Sequence, residues 1–402
     1  MSKINDLLLE LCPDGVQFLR VDQVCVRKSG LPLTAGEMKV INTTGGDVRI
    51  FAGGQTFADV NSESIDGKYI EGPGLIVKSR GIIDFEFWLG PYSHKNELWS
   101  YQPKNEVVNL KFLYYFLKTK VLQVQLIAKA NSVKMPQIKV GDIDGMLIPV
   151  PPLEIQNEIV SILDTFTELA SELEAELTAR YQLRTWLQDE LLKHRLIEAT
   201  SPSQMMPITK AAEYIRGLTY SKSAEDIAGT IRVLRANNID QESGTLNFCD
   251  VRCLATGTKV KREQKLSEGD ILMSAASGSR SHVGKVAYIN DDLDYYFGGF
   301  MAVFRVRKNI HSPYLFHILS SRGFQEFLDR AIESTTINNL SASLLEKFLI
   351  PVPDLKTQIE VSRRLDTLNC LIQDLRSELE MRHQQFDYFR GKLLTFKELE
   401  VA

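Results

Sequence analysis

The sequence predicts an α+β fold built twice: two globular blocks, each followed by a long α-helix, with the helices pairing as an antiparallel coiled coil of pseudo-two-fold symmetry. Three observations carry that expectation. The stretch from Ile148 (IPVPPLEIQNEIVSILDTF) returns from Ile350 (IPVPDLKTQIEVSRRLDTL), 202 residues further on. Aligned without gaps, Ile148–Leu192 agrees with its copy at 18 of 45 positions, whereas Val108–Leu147 agrees at only 6 of 40, so a shared frame has been kept while the blocks ahead of it have drifted. Ahead of each copy lie short β-type runs that close on a helical period.

The expected segments are a first globular block over residues 1–151, a central helix and linker over 152–203, a second block over 204–352 and a closing helix over 353–402. In the first block, Gly74–Lys78 and Glu97–Tyr101 read as strands, and Phe112, Leu113, Phe116, Leu117, Val121 and Leu122 as a helix. Each copied segment begins with a proline-rich strand exit, Pro149-Val150-Pro151-Pro152 and Pro351-Val352-Pro353. Proline lacks a ladder donor and suits a first helical turn, so a helix should start just beyond each. In the first helix Ile155, Ile159, Ile162, Phe166, Leu169 and Leu173 alternate steps of four and three, a coiled-coil seam, and a shift to Leu177 reads as a stutter. Leu187 and Leu191 extend its apolar side, and the helix is expected to end near His194, before a polar linker at 198–204. The second block has strands at Ile231–Ala236, Gly269–Met273, Gly284–Ile289 and Met301–Arg307, then a helical period from Ser312 to Ile332. The second seam runs Val361, Leu365, Leu368, Ile372, Leu375 and Leu379, and continues through Phe386, Phe389 and Leu393. Each helix of about 40 residues would reach roughly 60 Å, and the other copy is the obvious partner for its seam.

Composition bounds the function. No run approaches 18 apolar residues and the N-terminal stretch has no signal-peptide layout, so a soluble, cytoplasmic protein with no membrane partner is expected. Five cysteines argue for reduced thiols. Cys249 and Cys253 have the spacing of half a zinc site, but no second ligand pair follows, so no metal is expected. The net charge of −4 is unevenly spread: residues 152–203 hold 4 basic against 10 acidic side chains, while the two globular blocks are close to neutral. Any basic face on those blocks must come from arrangement.

No phosphate-binding G-x-x-x-x-G-K-[ST], H-E-x-x-H, G-x-G-x-x-G or G-x-S-x-G sequence occurs, and the six histidines show no ligand spacing. No catalytic residue is expected, and no cofactor in this chain. What remains are loops rich in small and basic residues at equivalent places in the blocks. In the first, Lys78, Ser79 and Arg80 follow a strand; in the second, Ser277, Ser279 and Arg280 do, with Lys285 just beyond. Small residues admit a phosphate close to the backbone, and arginine can take a guanine edge bidentately. Arg27 with Lys28, Arg216, the run Lys259, Lys261 and Arg262, and Lys129 with Lys134 are further candidates for touching DNA. A solvated face is the plain reading of each.

Two dissimilar blocks, each closing on IPVPP or IPVPD and followed by the helix core Leu153-x-x-Gln156-x-Glu158 or Leu355-x-x-Gln358-x-Glu360, resemble the specificity subunits of type I restriction-modification enzymes. The resemblance covers nearly the whole chain. It implies that each block is a target-recognition domain reading one half of an asymmetric bipartite sequence in double-stranded DNA, while the helices hold the halves apart and dock two modification (methyltransferase) subunits. Restriction (translocase and nuclease) subunits join that assembly, and S-adenosylmethionine, ATP and Mg²⁺ belong to those partners. Two other readings stay open on the residues alone: a component with its own nuclease or methyltransferase activity, and a coiled-coil adaptor whose blocks bind peptides.

Overall fold

In the computed structural model the helices predicted from the repeat start just beyond their proline exits: α3 spans Leu153–Leu192 and α6 spans Leu355–Leu393. The structure describes residues 2–131, 134–192, 204–241, 243–277, 282–333 and 339–399. The linker expected at 198–204 and the end of the first helix beyond Leu192 lie outside them, except for Gln204.

The chain divides into two compact units, residues 1–172 with 380–402, and residues 173–379. This differs from boundaries at residues 152 and 353. Each long helix is shared: its first half packs on the block that precedes it, and its second half belongs to the other unit.

The first unit holds β1 (Phe18–Arg20), β2 (Cys25–Ser29), β3 (Val48–Phe51), β4 (Phe57–Val60), β5 (Gly74–Lys78), β6 (Asp84–Trp88), β7 (Tyr92–His94), β8 (Trp99–Pro103) and β9 (Leu147–Pro149). Four of these form a sheet in the order β2-β8-β5-β6, three form β4-β3-β7, and β1 pairs with β9. The helical period after β8 is two helices, α1 (Leu110–Thr119) and α2 (Val121–Asn131). Asn109 caps α1, accepting the Lys111 and Phe112 N–H groups at 2.8 and 3.2 Å. Leu75, Val77, Phe85 and Tyr101 from the sheet meet Phe112, Leu113 and Phe116 of α1 and Ile155, Ile159 and Leu163 of α3 in one buried core. Phe386 and Phe389 of α6 lie against that core, with the Phe166 and Phe389 rings stacked 5.4 Å apart. Within this unit, therefore, the first half of α3 packs against the second half of α6.

The second unit repeats the plan with β10 (Gln204–Pro207), β11 (Ala212–Arg216), β12 (Ile231–Leu234), β13 (Ile239–Asp240), β14 (Thr245–Leu246), β15 (Arg252–Leu254), β16 (Ile271–Ser274), β17 (Val286–Tyr288), β18 (Tyr296–Phe297), β19 (Met301–Val306) and β20 (Leu349–Val352). Its sheets run β11-β19-β16-β17 and β15-β12-β18, and β10 pairs with β20, which matches the first unit strand for strand. Even the mixed pairing is repeated: β3 is antiparallel to β4 and parallel to β7, as β12 is to β15 and β18. Among the described residues only the hairpin β13–β14 is added. Helices α4 (Ser312–Leu319) and α5 (Arg322–Glu333) follow, where the sequence predicted one. Leu187 and Leu191 from the end of α3 pack on the core that holds Val361 and Leu365 of α6.

Most seam positions are covered. Ile159, Leu365 and Ile372 are fully buried, Val361 and Leu368 nearly so, and Ile162, Phe166, Leu173, Leu177, Leu375 and Leu379 are half-buried. Leu169 departs from the expectation at 41% exposure, and Leu163, which the four-three rhythm passes over, is completely buried. The reason is that the first turns of α3 face the sheet and α1, and this burial, rather than a narrow two-helix seam, selects the apolar stripe.

Each helix is pinned to its block by a fully buried glutamine. Gln156 Nε2 donates to the Val107 and Pro151 carbonyls at 2.9 and 2.7 Å, and its Oε1 accepts the Asn109 N–H at 2.7 Å. Gln358, its counterpart in the repeat, does the same, donating to Asn309 and Pro353 at 3.0 and 2.8 Å and accepting from His311 at 2.9 Å. Replacing Gln156 with Ala strands a buried N–H and two carbonyls; a loss of about 2–3 kcal/mol is expected, read as faster hydrogen exchange at the Asn109 amide. Leu365→Ala should cost about 2–5 kcal/mol by leaving a cavity, and a urea midpoint equal to that of the unaltered chain would contradict this packing.

Candidate nucleic-acid interface

The strands β5 and β16 occupy the same place in their sheets, and the segments leaving them are held in the same way. After β5 the chain turns at Gly81, whose φ of +74° suits glycine, and runs beside the segment that succeeds α2. Arg80 forms an antiparallel bridge with Gln137, Gly81 N–H donates to Pro136 at 2.9 Å, and Ile138 N–H donates to Ser79 at 3.1 Å. After β16, Ala276 forms an antiparallel bridge with Asn339, and Leu340 N–H donates to Ala275 at 2.8 Å. The equivalence of the two loops, expected from their composition, is therefore a shared piece of backbone.

Within those loops the candidates separate by burial. Lys78 is buried and its ammonium is 2.5 Å from Glu86 on the adjoining strand β6. Ser79 is buried too, its hydroxyl donating to the Glu97 carbonyl. Neither faces solvent here, because β5 is an inner strand covered on both faces, so the exposed basic group of this loop is Arg80 rather than Lys78. Arg80 is exposed and makes no hydrogen bond or ion pair among the described residues. Lys129 and Lys134 are exposed as well, likewise without an ion pair among the described residues. The backbone draws them into Arg80's neighbourhood: Gln137 N–H donates to Ala128, next to Lys129, at 3.2 Å. Ile82 and Met135 are exposed apolar side chains in the same place.

In the second unit, Ser279 and Arg280 lie outside the described residues, and Ser277 is at the edge of them. Lys285 is half-buried at the wall of a polar cavity of about 170 Å³ that Arg184, Gln188, His317 and Asn369 also line. Arg216 is half-buried, its guanidinium donating to the Gly299 carbonyl at 3.1 Å and to the Tyr214 hydroxyl at 3.2 Å. Lys259, Lys261 and Arg262 are exposed around a short helical turn, with Lys261 3.5 Å from Glu263. In β2, Arg27 is paired with Asp144 at 2.7 Å, and Lys28 is half-buried.

Elsewhere several cations are matched by carboxylates. The Arg49 guanidinium lies over Phe57 and Trp88 and bonds Asp59 at 2.7 and 2.9 Å, which raises the arginine's pKa and lowers the aspartate's. Asp294 is held below the usual carboxylate range by Lys265 and Arg232, at 2.9 Å each. His94 is fully buried, which lowers its pKa and keeps it neutral. Cys253 lies in β15 and Cys249 is exposed in the loop before it; no cluster of three or more metal-ligating groups is present among the described residues. Sequence reading missed Gln137 and Asn339. The signal was available, since they stand in register with the repeat.

A family model described as the type I restriction modification DNA specificity domain matches this chain twice, over residues 13–180 and 201–381. The specificity subunit of the type I restriction enzyme StySPI from Salmonella potsdam is 30% identical over 193 residues, 47% of this chain and 41% of that one. The chain thus spans about two fifths of that relative's length. The specificity subunit of EcoR124I/EcoR124II from Escherichia coli is 26% identical over 319 residues, 73% of this chain and 72% of that one. Among solved structures, the S subunit of a type I restriction-modification system from M. genitalium superposes with a TM-score of 0.63 at 16% identity, covering 96% of this chain and 97% of that one, and shares its fold. The two blocks, their repeated junctions and these matches lead to one conclusion: the chain belongs to the type I restriction-modification DNA specificity family.

Proposed function

We propose that this chain is the recognition subunit of a type I restriction-modification complex, in which each α+β unit reads one half of an asymmetric bipartite target in double-stranded DNA. The observation that carries the reading is the pair of blocks with one strand order and little common sequence, each joined to its helix by the same buried glutamine. A conserved mount with divergent surfaces is what two different readers on one frame require. Helices of 40 and 39 residues, roughly 60 Å long, would allow up to about 18 base pairs between their attachment points at 3.4 Å per pair.

Catalysis is assigned to partners. Two modification subunits dock on the helices, of which α3, with 9 acidic against 2 basic side chains, suits protein better than DNA, and restriction subunits complete the assembly. S-adenosylmethionine, ATP and Mg²⁺ act on those partners, and the complex works in the cytoplasm; among the described residues no helix is long and apolar enough to cross a membrane.

Mapping methylated bases in DNA exposed to the chain with its modification subunits should return two unlike short half-sites separated by unspecified bases; a single continuous palindrome would refute the two-reader arrangement. Because the blocks carry almost no net positive charge, affinity should depend on those subunits. In a mobility-shift assay near physiological salt, the chain alone should bind at least about tenfold more weakly than the complex, and equal binding counts against it.

A further inference from the structure

We propose that Arg80 reads a guanine in one half-site and Asn339 an adenine in the other, from opposite strands of the equivalent two-stranded ribbons beyond β5 and β16; this rests on the bipartite recognition proposed for the two units. The backbone is the first ground. Arg80 stands opposite Gln137 and Ala276 opposite Asn339 in bridges of the same kind, each backed by an N–H donated from the next residue, Ile138 or Leu340, to the carbonyl before the bridge. Across the two units the frame is kept while the side chains on it change from Arg and Gln to Ala and Asn. Positions that set sequence preference need this combination, a fixed mount and an interchangeable tip.

The second ground is availability. Arg80 and Asn339 are exposed, and neither makes a side-chain hydrogen bond or ion pair among the described residues. Their surroundings are different: Lys78 is taken by Glu86, Ser79 by Glu97, and Arg216 by the carbonyls of Gly299 and Leu340. The anchored residues beneath hold the ribbon while the tips keep their hydrogen-bonding capacity for a ligand.

Chemistry selects the bases. A guanidinium presents two parallel N–H groups that match guanine O6 and N7 in the major groove, and a carboxamide presents one donor and one acceptor that match adenine N6 and N7. Ala276, buried beside Asn339, offers no competing polar group. Lys129 and Lys134, exposed next to the first ribbon, are placed to neutralise phosphates flanking the guanine.

The test is selection of bound DNA by the full chain with its modification subunits, comparing the unaltered protein with Arg80→Lys, Arg80→Ala and Asn339→Ala. The unaltered protein should return guanine in one half-site and adenine in the other. Arg80→Lys keeps the charge and loses the fork, so it should relax preference at one guanine by roughly 10- to 100-fold while leaving the other half-site intact. Asn339→Ala should relax one adenine in the opposite half-site by a similar factor. If Arg80→Ala weakens all sequences equally, with the motif unchanged, Arg80 is a phosphate contact and the assignment is wrong. It is wrong too if both variants alter the same half-site, or if Asn339→Ala alters neither. A motif that is not bipartite in the unaltered protein would instead reject the underlying reading, which the variants alone do not test.

Discussion

The molecule depends on how a long helix is fixed to a sheet of short strands, and that is done by one buried amide in each unit. The glutamine side chain spends its two donors and its acceptor on three backbone groups that the proline exit and the entry to the preceding helix leave unpaired. Proline has no N–H to offer and breaks the ladder just where the strand must become a helix, so its neighbours' carbonyls need an outside donor. A hydrophobic residue of the same size would fill the volume and leave those groups stranded in a dry interior. The amide therefore fixes direction as well as energy, because its three partners come from two different parts of the chain.

A second pair of groups shows how much change this mount tolerates. Asp164 accepts from the Tyr115 hydroxyl at 2.6 Å and from Lys111 at 2.7 Å; at the matching position of the second copy, Asp366 meets the buried imidazole of His317 at 2.8 Å. The acid is kept and its partner is replaced. Next to His317 the second unit has its polar cavity, so the same joint is packed with different side chains in the two copies.

The frame was legible in the sequence because it depends on local, periodic signals: prolines at strand exits, apolar steps of three and four, and a repeat with a constant displacement. Strands β5, β12, β16 and β19 fall where the patterns place them. The division of each apolar stripe between a sheet-facing part and a helix-facing part was not legible, since Leu163 and Leu169 look alike until α1 is in place. The candidate interface was the hardest part. Whether a loop lysine is free depends on an acid that faces it, and Glu86 reaches Lys78 only because the β5–β6 hairpin sets Lys78 opposite Asp84, two positions before that acid. Gln137 comes beside Arg80 from beyond three further strands and two helices, through a backbone bridge that no short motif encodes.

The sharing of the two long helices also fixes an order of assembly. The second unit is one uninterrupted stretch, 173–379, whereas the first closes only when the segment after Leu379 arrives to add Phe386, Phe389, Leu393 and Leu394 to its core. During synthesis at roughly 5–20 residues per second, the N-terminal sheet must wait, with that side of its core open, until the whole of the later unit has been made. The part translated first is thus the part completed last, and a chain ending just after Leu379 would hold every residue of the second unit while lacking the segment that closes the core of the first.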